Sequence, residues 1–172
     1  SGPKVSLMVG IFALYMWKFR NYLKEIRWIA FISLTLLHFI MKAPVWYLMS
    51  RISGYVGGGT GWHRSELITQ ALKHFDEWWL IGTDYTAHWM PYALPTNPKM
   101  TDITNQYLAQ GVQGGLITMI LFIAVVWYAF KAVGLSLALA KAGDQWDEKT
   151  TWGIGAALFA HTITFLSVSY FD

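Results

Sequence analysis

The sequence predicts an all-α membrane protein of about four transmembrane helices, with one long loop outside the membrane that carries an amphipathic helix. Three observations predict it. The 172 residues are 55% hydrophobic and only 13% charged, with mean hydropathy +0.35, whereas soluble domains carry about 25% charged residues. Four apolar segments alternate with polar connections. Ten Trp and nine Tyr suit interfacial belts, where a ring with one polar edge sits at headgroup level. Cysteine is absent, which excludes disulfides and thiolate chemistry. A net charge of +3 is too small to imply nucleic acid, and the basic residues cluster near segment ends, where they report topology.

The first apolar segment is 5–17, VSLMVGIFALYMW. Its 13 residues fall short of the roughly 20 a span needs, so it crosses only if the preceding Ser1–Lys4 lies at the interface. The second, 28–49, is long enough. Lys42 near its outer end can snorkel to the headgroups, and Pro44 should kink or end the helix. The third, 114–133, is the cleanest. The fourth, 152–171, is rich in Gly, Ala, Ser and Thr, a composition that favours close helix–helix packing. The connection 18–27 holds Lys18, Arg20, Lys24 and Arg27 against Glu25 alone. By the positive-inside rule it is cytoplasmic, and the 51–113 insert is then extracytoplasmic. The expected setting is a multi-pass integral membrane protein with its large loop extracytoplasmic. The chain begins Ser-Gly-Pro-Lys without Met or a signal pattern and ends just after an apolar run. This predicts a fragment of a larger polytopic bundle, whose remaining transmembrane helices are then partners, together with membrane lipid.

A connection as long as 51–113, without repeats or disorder signals, is usually functional, and the chemistry is expected there. Within it, 65–79 reads as an amphipathic helix. Leu67, Ile68, Ala71, Leu72, Phe75, Trp78 and Trp79 recur at helical spacing, with Glu66, Gln70, Lys73, His74 and Glu77 opposite. Ser65 or Thr60 is placed to cap its start. The helix either lies on the bilayer surface or packs on the bundle. The stretch 91–98, PYALPTNP, reads as irregular loop.

Gly57-Gly58-Gly59-Thr60-Gly61-Trp62-His63-Arg64 runs straight into that helix. Glycine N–H groups at a helix N-terminus favour an anion, and Arg64 adds a forked donor suited to phosphate. A flexible turn with a surface arginine is an equally good reading of this feature alone. Arg51, just after the second span, is a headgroup-snorkelling cation or a second contact for a lipid-linked phosphate. His63, His74 and His88 share the loop at a spacing that fits no metal motif, and neither metal nor cofactor is expected. His38 and His161 fall within spans, where a neutral histidine bonded between helices is the commoner case. Asp102, Thr104 and Asn105 precede the third span. They are placed to cap it, or to position and deprotonate an acceptor hydroxyl. Gly114 and Gly115 would let a neighbour approach closely.

The order of these pieces resembles the O-antigen ligase/polymerase-like family of polytopic membrane proteins, over most of the chain and with that family's C-terminal half. The family's T-G-R segment before an amphipathic helix is similar to Thr60-Gly61-Trp62-His63-Arg64, with two residues inserted, and Gly82-Thr83 follows. Its second motif, His then Asn, Ser or Gln with spaced glycines, is similar to Thr104-Asn105, Gly115 and Thr118, with Thr104 in place of the His. The resemblance implies transfer of a glycan from an undecaprenyl-pyrophosphate carrier to the hydroxyl of a glycan or lipid acceptor, on the outer face and without a metal. Arg64 inherits the pyrophosphate-holding role, and Arg51 joins it by proximity. Trp62 and His88 are placed with them in substrate binding. Thr104 cannot be a general base near neutral pH, so Asp102 or His63 stands in, with Asn105 beside them. The competing expectation is a non-catalytic membrane subunit of a polysaccharide assembly or export system. A channel fits less well, because the spans hold only Lys42, Lys131 and two His as ionisable groups and no acid for a relay.

Overall fold

The computed structural model describes residues 2–48, 50–51, 61–91, 93–94, 97–141 and 147–168. Helix α1 (Gly2–Tyr15) leads through a 3₁₀ segment (Met16–Tyr22) into α2 (Leu23–Ile40). A second 3₁₀ turn, Val45–Tyr47, follows. Helices α3 (Gly61–Lys73) and α4 (Phe75–Trp78) lie within the insert, ahead of a 3₁₀ turn at Ala87–Trp89. Strands β1 (Ala93–Leu94) and β2 (Asn97–Thr101) form a small antiparallel ribbon, Ala93 opposite Thr101 and Leu94 opposite Asn97. Helix α5 (Gln106–Lys141) and helix α6 (Glu148–Thr164) complete the chain. The fold is mostly helical, as the sequence predicts.

Helix α5 is long and apolar enough to cross a membrane. The part beyond Gly115 alone runs about 39 Å at 1.5 Å per residue, more than the ~30 Å of a bilayer core. Among the described residues it is the one helix that meets both criteria. Helices α1 and α6 have 14 and 17 residues. Helix α2 has 18, but its first turns carry Lys24, Glu25 and Arg27. The expected second span, 28–49, is interrupted: α2 ends at Ile40, and Met41 and Pro44 turn extended (ψ 137° and 146°) before the next turn. Pro44 cannot donate a helical hydrogen bond and disfavours helix in the residue before it.

Small residues set the seam between α1 and α6. Ala13, Ala156 and Ala160 are buried, and a Cβ at Gly10 would lie 3.8 Å from that of Ala160. The Trp152 indole donates to the Ala13 carbonyl at 3.0 Å and meets Trp17 edge-on, ring centres 5.5 Å apart. This is the close packing expected of the fourth segment. Arg20 lies over the Trp17 ring and 3.6 Å from the Glu148 carboxylate, and Lys141 is 3.9 Å from the same oxygen. The basic segment after α1, the end of α5 and the start of α6 therefore share one end of the helical bundle. Asp147 caps α6, its carboxylate accepting from Thr150 N at 2.9 Å.

The opposite end carries the insert. Helix α3 begins at Gly61, four residues before the expected start, and breaks at His74 (φ −101°, ψ 31°). Ser65 is not its cap. It is buried inside the helix, its hydroxyl within bonding distance of the carbonyls of Gly61 and Trp46. Thr60 and the glycine run 54–60 lie outside the described residues. Leu67, Ala71 and Trp78 bury one face against Trp89, Met90, Ile103, Ala109 and Val112. The amphipathic helix thus packs on the head of α5, while Leu72, Phe75 and Trp79 stay exposed. Within and after the 91–98 stretch expected to be irregular loop, Ala93–Leu94 and Asn97–Thr101 pair as the ribbon, and Thr86 supplies a third edge. Thr86 N donates to the Lys99 carbonyl at 2.8 Å, and Thr101 N donates to the Thr86 hydroxyl at 2.9 Å.

Candidate functional site

The head of α5 is built by two devices. The first is Asn105. Its Oδ1 accepts from Tyr107 N at 3.0 Å and Leu108 N at 3.2 Å, satisfying two donors that every helix start leaves open. Its Nδ2 reaches the Leu166 carbonyl at 3.4 Å, and Gln106 N donates to the Phe165 carbonyl at 2.8 Å. At 4% exposure, Asn105 is a helix cap that ties α5 to the end of α6. Its polar atoms are committed to backbone, the capping role that its place before an apolar run allows. Asn105→Ala is expected to lower stability by about 1 kcal/mol through the cap alone, and further through the lost bridge. Asn105→Asp keeps the cap and loses the bridge, so its loss in thermal unfolding should be the smaller.

The second device is a kink at Gly115 (φ 80°, ψ 175°). In an unbroken helix Leu116 N would bond the Val112 carbonyl. Here the insert takes both places. Leu116 N donates to the Trp79 carbonyl at 2.8 Å, and the Val112 carbonyl accepts from Thr83 N at 2.7 Å. Segment 79–83 is spliced into the hydrogen-bond ladder of α5, and Gly82 (φ 85°) makes the return possible. An open cavity of about 580 Å³ adjoins this junction, lined by Ile81, Gly82, Thr83, Asp84, Asn97, Met100 and Gln113. None of the residues expected to carry the chemistry lines it.

Those residues fall into separate groups. His63 and Arg64 sit in the first turn of α3, and Asp102 lies beside them in the chain leading to α5. His63 Nε2 is 3.2 Å from the Asp102 carbonyl oxygen. A carbonyl only accepts, so Nε2 carries the proton and a neutral ring leaves Nδ1 as its basic nitrogen. Burial lowers the pKa of Arg64, and the neighbouring Asp102 charge raises it part of the way back. The guanidinium remains a cation at physiological pH. Trp62, in the same turn of α3, is 51% exposed. Thr104 has a buried hydroxyl with no hydrogen-bond partner among the described residues. Arg51 is exposed and makes no hydrogen bond or ion pair with a described residue.

His88 does not join Arg64. It lies at the far end of α3, some ten residues or about 15 Å of helix rise away, where the sequence gives no hint of a cluster. There His74 Nδ1 and His88 Nε2 approach the same Glu77 oxygen, at 2.6 and 3.0 Å, and the Trp89 indole donates to the other oxygen at 3.0 Å. Burial pushes the Glu77 carboxyl up, but the hydrogen bonds from Trp89, His88 and His74 outweigh it and hold the group below its ordinary value of 4.5. A lowered carboxylate pKa contributes stability that is present above the ordinary value and is lost as pH falls through the lowered one. Glu77→Gln is therefore expected to unfold more easily than the parent at neutral pH, with the difference vanishing in acid below 4.5. Melting temperatures taken across pH check this.

No family model, curated protein or solved structure matches the chain.

Proposed function

We propose that the protein transfers a glycan from an undecaprenyl-pyrophosphate carrier to an acceptor hydroxyl, at the outer face of the bacterial inner membrane. The observation that carries this reading is the grouping of Arg64, His63 and Asp102 where α3 meets the head of the membrane-length helix α5. A lipid-linked pyrophosphate is already a good leaving group, so its transfer needs a cation for the developing charge and a base for the hydroxyl. Arg64 is the cation, and the N-terminal N–H groups of α3 add to it. His63 Nδ1 is the base, with the Asp102 carbonyl fixing the tautomer and the Asp102 charge neighbouring Arg64. Trp62 offers an apolar face to a sugar ring. In this reading α1, α2, α5 and α6 are the four spans, with the basic 18–27 connection in the cytoplasm. The uncovered apolar sides of α2 and α5 face lipid or partner helices.

The competing reading is a non-catalytic subunit of a polysaccharide assembly or export system. The commitment of Asn105 to capping, and Thr104 in the position of the motif histidine, favour it. Incubating the purified full-length protein with an undecaprenyl-pyrophosphate glycan and several acceptors separates the two. Donor consumption with a matching glycosylated product supports the transferase. Retained glycan binding without turnover supports the subunit.

A further inference from the structure

The geometry points to a divalent transition-metal site, of the Zn²⁺ class, formed by His74 Nδ1, Glu77 and His88 Nε2. The three ligand atoms all lie within 4.8 Å of one another. At metal–ligand distances near 2.0–2.1 Å, tetrahedral N/O ligands stand about 3.3 Å apart. The His74–Glu77 pair must open by under about 1 Å, and the widest separation must close by about 1.5 Å, to meet that spacing. Both shifts are small side-chain rotations for groups that are 21% to 35% exposed.

The arrangement around the three is that of a supported site. Trp89, 3% exposed, donates its indole N–H to Glu77 Oε2, which leaves Oε1 aimed at both histidines. The His74 ring stacks parallel to Trp89 at 5.8 Å, and His88 stacks on Tyr85 at 5.1 Å. Glu77 is thus oriented by a hydrogen bond from outside the cluster, as ligating carboxylates are, and the two rings are held by stacking. Two imidazoles and one carboxylate suit zinc or cobalt rather than magnesium or calcium. Three protein ligands leave a fourth position for water. His74 sits at the break between α3 and α4 and Glu77 within α4, while His88 comes from the turn at Ala87–Trp89. A bound ion would clamp the far end of the insert, about 15 Å along α3 from Arg64. It would act on the insert's shape and stability and take no part in the transfer step.

The test uses the purified full-length protein in detergent, with Zn²⁺ affinity and stoichiometry by calorimetry, and Co²⁺ as a spectroscopic probe. One equivalent of Zn²⁺ is expected to bind and raise the melting temperature. Co²⁺ should give the intense visible bands of a four-coordinate N/O site, which a merely structural hydrogen-bond cluster would not. His88→Ala and His74→Ala should abolish that stoichiometric binding and those bands, while His63→Ala, outside the cluster, should keep both. Trp89→Phe should weaken affinity about tenfold or more with the ligands intact. If His88→Ala fails to fold, Trp89→Phe and Glu77→Gln carry the test. No Zn²⁺ binding near neutral pH, or equal binding by the parent and the His88 and His74 variants, overturns the proposal.

Discussion

Gly115→Ala is expected to lower stability by roughly 3 kcal/mol or more, because it attacks backbone geometry and a backbone contact together. Gly115 has φ 80° and ψ 175°, a region essentially closed to residues with a Cβ. A Cβ there would also fall on the Leu80 carbonyl oxygen. That oxygen belongs to the segment spliced into the α5 ladder, so relief by movement would break the Leu116–Trp79 and Thr83–Val112 hydrogen bonds. Gly82→Ala meets the same junction from the other side. Its Cβ would lie 2.5 Å from the Val112 carbonyl oxygen, at φ 85°. Gly134→Ala is the contrast. Gly134 is within the same helix with open space around it, and alanine there should be neutral or stabilising by up to about 1 kcal/mol. Thermal unfolding in detergent of the three variants checks the ranking. A Gly115→Ala protein as stable as Gly134→Ala would contradict the spliced ladder.

Arg64→Ala is expected to reduce glycan transfer by about 10²–10³-fold, the usual cost of removing one donor aimed at developing transition-state charge. Arg64→Lys should recover only part of the rate. Lysine restores a charge but loses the planar fork that meets two phosphate oxygens at once. Asp102→Asn should lower the rate less than Arg64→Ala, since it leaves both the carbonyl that orients His63 and the cation in place. His63→Ala should cost about 10²–10⁴-fold if Nδ1 is the base, with the remaining activity rising as pH rises and the acceptor ionises more readily. Melting temperatures of the variants, compared with the parent, separate these losses from folding.

Much of the architecture was legible in the sequence because it rests on local rules. The 3.6-residue recurrence of Leu67, Ala71 and Trp78 marks the buried face of the insert. The small residues of 152–171 mark a tight seam, and Asn105 before an apolar run marks a cap. Pro44 marks an interruption. The helix boundaries were less legible. Ser65 is as good a capping residue inside α3 as at its start, so its side chain alone does not say where the helix begins. The 28–49 run is mostly apolar on both sides of Lys42 and Pro44, and hydrophobicity alone joins segments that Pro44 separates.

The site was legible in one part and not in the other. Arg64 and His63 are adjacent in sequence, and Asp102 was singled out with them. Their meeting, through the Asp102 carbonyl rather than its carboxylate alone, depends on where the insert returns to the head of α5. The His74–Glu77–His88 cluster was not foreseeable as a motif. His74 and Glu77 are one turn apart, but the ten residues before His88 are folded by Thr86 and the β-ribbon, a tertiary event that leaves no regular spacing. Gly115 was expected to admit a close neighbour. That the neighbour is the protein's own loop, entering the helix ladder, follows only from the hydrogen bonds.

The most direct measurement is the rate of glycan transfer in membranes from an undecaprenyl-pyrophosphate donor, comparing the full-length parent, Arg64→Ala and Arg64→Lys at matched expression and melting temperature. The account predicts turnover by the parent, a loss of about 10²–10³-fold in Arg64→Ala, and a rate between the two in Arg64→Lys. Equal rates in the parent and Arg64→Ala, or no turnover by the parent, would contradict it.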